Sequence, residues 1–166
     1  MMPFLMNKRQ LIEVIYLNYE SLLEEADSHG IIIKERPLIA NDGRIKGTQI
    51  LIRQDMTDCQ KACVLAEELG HYHTTTGDIL DQSDVSNQKQ ERTARLWAYN
   101  KMITLDKLVA AKEAGCRNGY EIAEHLDVTE EFLLDAIHCY QTIYGKGLQK
   151  DNYLILFEPF NIYKIV

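Results

Sequence analysis

The spacing of apolar positions changes from segment to segment along the chain, and each spacing predicts an element. Leu11, Val14, Ile15, Leu22, Leu23 and Ala26 form one face of a helix over residues 10–28, with Glu13, Glu20, Glu24 and Glu25 on its wet face. Gly30 stops that helix, and His29 at its end reads as a surface residue or a C-terminal cap. Residues 31–36 (IIIKER) are a β-branched strand closed by Pro37. The turn signal Asn41-Asp42-Gly43 then separates residues 37–40 from the strand-forming stretch 44–53, in which QILIR is clearest. Strands this short predict a small, mostly antiparallel sheet. Thr57 and Gln60 make a capping box that starts a central helix running to about Tyr72. Residues 74–87 are polar, and Asp78, Asp81 and Asp84 recur there without the glycine and alternation of a calcium loop, so they read as a solvated connection.

A second long helix follows over residues 88–102, with Glu91, Ala94, Arg95, Ala98 and Met102 on one face. Its small alanines predict a close approach to the central helix, and Trp97 is expected in the core. Thr104 caps a helix over 105–114 that ends at Gly115. Residues 120–126, 127–128 and 129–144 read as helix, turn, helix. The tail is extended over 153–157 and 162–166, with a break at Pro159.

Composition adds bounds. A chain of 166 residues is expected to be one domain with a real core, spanning 1–166 with the helix-turn-helix-like segment inside it. Apolar residues make up 46% and charged ones 26%, the balance of a soluble globular protein. The net charge of −7 argues against a nucleic-acid surface as the main business. No apolar run spans a bilayer, and the start MMPFLMNKRQ lacks the layout of a signal peptide, so a cytoplasmic location is expected. There Cys59, Cys63, Cys116 and Cys139 default to free thiols, and the i, i+4 pair Cys59/Cys63 lacks the C-x-x-C spacing of a metal pair.

The candidate chemistry lies in KACVLAEELGHYH, residues 61–73. Ala62, Leu65, Ala66, Leu69 and Tyr72 make a core-facing helical stripe, and Glu67, Glu68 and His71 interrupt the apolar run. Buried carboxylates are costly unless paired or bound to a metal, so this knot reads as a site. Glu67 and His71, four residues apart, rise from one face. The spacing is that of the zincin motif H-E-x-x-H, with Glu67 at the first His position, Glu68 at the general-base position and His71 at the second His position. Gly70 is a poor helix residue and either admits another backbone or the substrate, or marks a loosening last turn.

LAEELGHYH, followed by Glu91 in QERTARLWAYNKMI, resembles the ImmA/IrrE family of metallo-endopeptidases, in particular those carried by prophages and mobile elements. GCRNGYEIAEHLDVTEEFL and the ending YLILFEP extend the resemblance over about residues 18–160. It implies an α+β, zincin-like fold, with a small, mostly antiparallel sheet packed on the metal-site helix and additional C-terminal helices. It also implies Zn2+, or Mn2+ given the oxygen donors, held by Glu67, His71 and Glu91, with Glu68 as catalytic base. His73 is an alternative ligand if the helix unwinds after Gly70. Glu67 departs from the family's usual His, and a second carboxylate lowers the charge of the bound ion, so weaker zinc binding or slower turnover is expected.

Three functions compete. One is an endopeptidase whose substrate is a helix-turn-helix phage repressor, with no direct contact to nucleic acid and no membrane. Another is a non-catalytic zincin-fold protein that binds and antagonises a repressor. The third is a DNA-binding regulator using residues 120–144, but Glu130, Glu131 and Asp135 at the start of its reading helix would repel phosphate. His125 and His138 read as structural or surface residues.

Overall fold

The computed structural model describes residues 15–75 and 84–165. Helix α1 spans Tyr19–Ser28. Of the expected start at residue 10, residues 10–14 lie outside the described ones, and residues 15–18 are not helical. Asn18 sets the boundary. Its side chain accepts the Ser21 N–H and the Ser21 hydroxyl accepts the Asn18 N–H, both at 2.9 Å, a reciprocal cap that fixes the first turn. His29 closes the helix, with Nδ1 2.9 Å from the Glu25 carbonyl oxygen, and Gly30 at φ +71° turns the chain out.

Strands β1 (Ile32–Arg36), β2 (Gly43–Lys46) and β3 (Gln49–Arg53) form a sheet in the order β1-β3-β2. The stretch 44–53 is two strands rather than one, folded at Gly47-Thr48, where Gly47 has φ +62°. A glycine at the first position of a two-residue loop matches the twist of the flanking strands. The sheet is mixed, because the chain passes β3 on its way to β2 and β1 therefore pairs parallel to β3. On the central strand, Ile50 and Ile52 are fully buried, and β3 packs against α2.

Helix α2 (Asp58–Thr74) starts at the expected Thr57/Gln60 box and runs unbroken past Tyr72. Helix α3 (Asp84–Met102) starts four residues earlier than expected, so Asp84 is helical rather than part of a loop; Asp78 and Asp81 lie outside the described residues. Ala94, Ala98 and Met102 are buried, and α2 and α3 are the most extensively paired helices. A Cβ on Gly70 would stand 2.3 Å from the carbonyl oxygen of Ala94, so Gly70 is where the two backbones meet. Trp97 is only part-buried, packed against the core rather than inside it.

Helices α4 (Leu105–Glu113), α5 (Gly119–Leu126) and α6 (Glu130–Tyr144) follow, with α5 and α6 joined through Asp127 in the left-handed region. The tail folds into a second, antiparallel sheet, β4 (Gly147–Lys150), β5 (Tyr153–Phe157) and β6 (Phe160–Lys164), with a cis Glu158–Pro159 bond in its last turn. The α+β class therefore stands, with two small sheets where one was expected. Buried side chains form a connected cluster from Tyr19 in α1 to Ile162 in β6. The four cysteines are free thiols. Among the described residues no helix is long and apolar enough to cross a membrane.

Candidate functional site

The Gly70–Ala94 crossing creates the site. His71 follows Gly70 on α2, and Glu91 lies one turn before Ala94 on α3. Because the backbones touch at this level, the two side chains meet, with His71 Nε2 3.1 Å from Glu91 Oε2. The other Glu91 oxygen accepts from Arg95 Nε at 2.7 Å, an i, i+4 pair within α3. Two expected site residues on different helices are thus in contact, and a third group, Arg95, is tied to them.

Glu67 and Glu68 sit one turn earlier on α2. Neither carboxylate has a hydrogen-bond or ion-pair partner among the described residues. Burial raises the Glu67 carboxyl above the usual carboxylate range; Arg95 pulls it down, and Glu91, Asp135 and Glu131 push it up. Burial, then Glu67 and Glu91, push Glu68 up to about 7. Glu68 lies against β2. A Cβ on Gly43 would stand 2.8 Å from Glu68 Oε1 and 2.6 Å from Val64 Cγ1, so any larger residue here must displace those two side chains.

A cleft of about 500 Å3 lies over these groups. Cys63, Val64, Glu67 and Glu68 of α2 line it, with Gly43 on one side and Glu131 and Asp135 of α6 on the other. Arg53 at its rim is committed to Asp42 at 2.7 Å and Asp55 at 3.0 Å, so the cleft keeps an acidic character. The start of α6 is held there by the Thr129 N–H, which donates to Cys63 Sγ at 3.5 Å. Glu131 and Asp135, two of the three acidic residues that weigh against phosphate binding, are therefore a wall of the cleft.

His73 is not brought to this place. The helix does not unwind after Gly70, and two residues on from His71 the side chain leaves on another face. It stacks on Trp97 with ring centroids 4.9 Å apart and meets His29 edge-on at 5.2 Å. His125 contacts the Tyr16 hydroxyl at 3.0 Å, and His138 lines a groove between α3 and α6.

Among the described residues, no three His, Cys, Asp or Glu side chains are gathered into a metal-holding group. The donor chemistry nonetheless fits a divalent cation. One imidazole nitrogen and the carboxylate oxygens of Glu91 and Glu67 are borderline-to-hard donors, and Glu67 and Glu68 are part-buried acids without a cationic partner in contact. Arg95 is the nearest cation to both Glu91 and Glu67 and balances part of their charge.

From sequence, Gly43 is a turn residue, Arg95 shares a helix face with Glu91, and Glu131 and Asp135 repel phosphate; none of the four is a site residue there. Arg95 was legible from its spacing to Glu91. The other three are defined by neighbours distant in sequence. The family model of the IrrE N-terminal-like domain (Peptidase_M78) matches residues 26–138, from the end of α1 into α6, more than half of the chain. No curated protein matches the chain significantly.

Proposed function

The chain belongs to the family of the IrrE N-terminal-like domain, a peptidase family whose chemistry implies a metal, and from that premise we propose that it is a metal-dependent endopeptidase. The observation that carries this reading is the His71–Glu91 contact across α2 and α3, beside a cleft into which Glu67 and Glu68 open. In this reading His71, Glu91 and Glu67 hold the ion, zinc or manganese. When bound, the ion supplies Lewis acidity to a carbonyl and to water. Glu68 is the proton carrier: it takes a proton from water and gives it to the leaving amine. Gly43 leaves Glu68 room against β2, and the buried position shields that proton from bulk solvent. Glu67 in place of an imidazole adds negative charge, which favours a harder ion and slower turnover than a His would give.

The fold is of the zincin type in this reading, the setting is a prophage or mobile element in the cytoplasm, and the substrate is a helix-turn-helix repressor. The acidic cleft supports a substrate residue of positive charge beside the scissile bond. The first turn of α6 faces this cleft, which favours a protein partner over DNA for the segment.

A non-catalytic repressor-binding protein is the second reading. One observation favours it: Arg95 already balances Glu91, so the site has a cation of its own. Elemental mass spectrometry on wild type, His71→Ala, Glu91→Ala and Glu67→Gln decides between the two. About one zinc or manganese per chain, lost in the His71 and Glu91 variants, together with peptide cleavage that Glu68→Gln abolishes, is the expected result. No metal in any sample after add-back overturns the peptidase reading.

A further inference from the structure

A groove of about 690 Å3 runs between α3 and α6 and adjoins the acidic cleft, sharing Arg95 and Asp135 with it. Its character is different. Leu96, Tyr99, Cys139 and Ile143 supply an apolar lining, and Ile143 is 50% exposed although it lies beside buried neighbours. Lys89 and Arg92 stand on the α3 side, both exposed, and neither makes an ion pair within the described residues. Away from Asp135 the groove is therefore basic and apolar, whereas the cleft beyond Asp135 is acidic. Free cations beside uncovered apolar surface in a concave site of this size are features of a surface completed by a partner.

We propose that the α3–α6 groove binds a polypeptide segment of the protein target that is apolar and carries acidic residues, and that it continues the cleft as one two-signed binding track. The geometry gives the order of charges. A target lying along the track places a cationic residue over Glu131 and Asp135, and acidic and apolar residues over Arg92, Lys89 and Leu96. A chain with the opposite order meets like charge at both ends, which is how such a surface rejects wrong partners. This proposal rests on the reading of the cleft as the place where a protein is engaged, and the groove itself does not depend on cleavage.

The test uses isotope-labelled full-length chain carrying Glu68→Gln, so that no probe is consumed, and two pools of short synthetic peptides. One pool is built from Asp, Glu, Leu, Ile and Phe; in the other, Lys and Arg replace Asp and Glu. The acidic pool is expected to shift the amide signals of Arg92, Leu96, Cys139 and Ile143, with affinity falling as salt rises. Lys89→Glu combined with Arg92→Glu, two exposed positions that leave the core untouched, is expected to weaken that pool by about tenfold and to favour the basic one. Three results overturn the proposal: no shift in the groove with either pool, equal shifts with both, or groove signals that move with protein concentration alone, which would assign the groove to a second copy of the chain. Cleavage of the same pools by wild type is measured separately. Groove binding without cleavage supports the groove and leaves the peptidase reading to the metal and Glu68 measurements, since the acidic pool lacks the cationic residue that the cleft is read to accept; cleavage without groove binding supports the peptidase reading and removes the groove.

Discussion

Replacing Gly70 with alanine tests the crossing on which the site depends. An added Cβ lands 2.3 Å from the Ala94 carbonyl oxygen and 3.0 Å from its carbon, where ordinary contact begins at 3.4 Å. The obstruction is backbone inside a helix, which has no rotamer to change, so α2 and α3 must separate by about 1 Å at this level. Overpacking of this kind costs about 1–3 kcal/mol, and a rigid obstacle places it near the upper end. Alanine offsets about 1 kcal/mol through its better helix propensity. The net is a loss of about 1–2 kcal/mol, a fall in Tm of about 2–8 °C for a chain of this size. The same separation stretches the 3.1 Å His71–Glu91 contact, so metal affinity falls as well. Urea unfolding and metal titration of wild type, Gly70→Ala and Gly47→Ala make the measurement. Gly47 has φ +62° and nothing within 4 Å of an added Cβ, so its alanine variant loses stability through backbone strain but keeps metal affinity. A Gly70→Ala protein as stable as wild type, or binding metal as tightly, refutes the reasoning.

Other outcomes follow from the same geometry. Glu68, raised to about 7 in the fold, binds more protons there than in the unfolded chain, so in chelator the stability of wild type falls as pH rises from about 4.5 to 7; Glu68→Gln flattens that slope, and an equal slope in both proteins, read from urea midpoints, excludes the buried acid as its source. Gly43→Ala drives a methyl into Glu68 and Val64, so cleavage falls by at least about tenfold while the unfolding midpoint moves little; a fully active Gly43→Ala protein counts against Glu68 working from this position. Arg95→Gln frees one Glu91 oxygen and removes the cation nearest Glu67, so divalent affinity rises about 2- to 5-fold by the worth of a half-exposed ion pair; unchanged or weaker binding in calorimetry shows that Arg95 does not compete with the ion.

The central helix and the position of its three ionisable residues were readable in sequence because their signals are local. A capping box, an apolar stripe and three ionisable residues inside that stripe all lie between Thr57 and Tyr72. The approach of α3 was readable too, since Gly70, Ala94 and Ala98 are small where two helices must touch. The hairpin at Gly47-Thr48 was not, because the preceding Arg44, Ile45 and Lys46 read as continuous with QILIR. The second sheet was missed for a related reason: β4 is a short strand with little alternation, and only its partner β5 reveals it. Gly43 and Asp135 owe their roles to Glu68 and Glu67, on elements distant in the chain, and nothing within their own segments marks them. The start of α1 was set too early because apolar spacing continues through Leu17, and the Asn18 cap overrides it.

The chain His71–Glu91–Arg95 gives the site a resident occupant. An incoming ion must exchange with an internal ion pair, so its apparent affinity is its intrinsic one diminished by that competition. The packed cluster from Tyr19 to Ile162 draws no side chain from Glu67, His71 or Glu91. On the metal-binding reading proposed above, folding and loading are then separate events, unlike those of small domains that collapse when metal is withdrawn. On the same reading, the fraction of metal-loaded protein follows the free metal concentration of its surroundings, and an acid–base pair one helical turn apart sets the threshold.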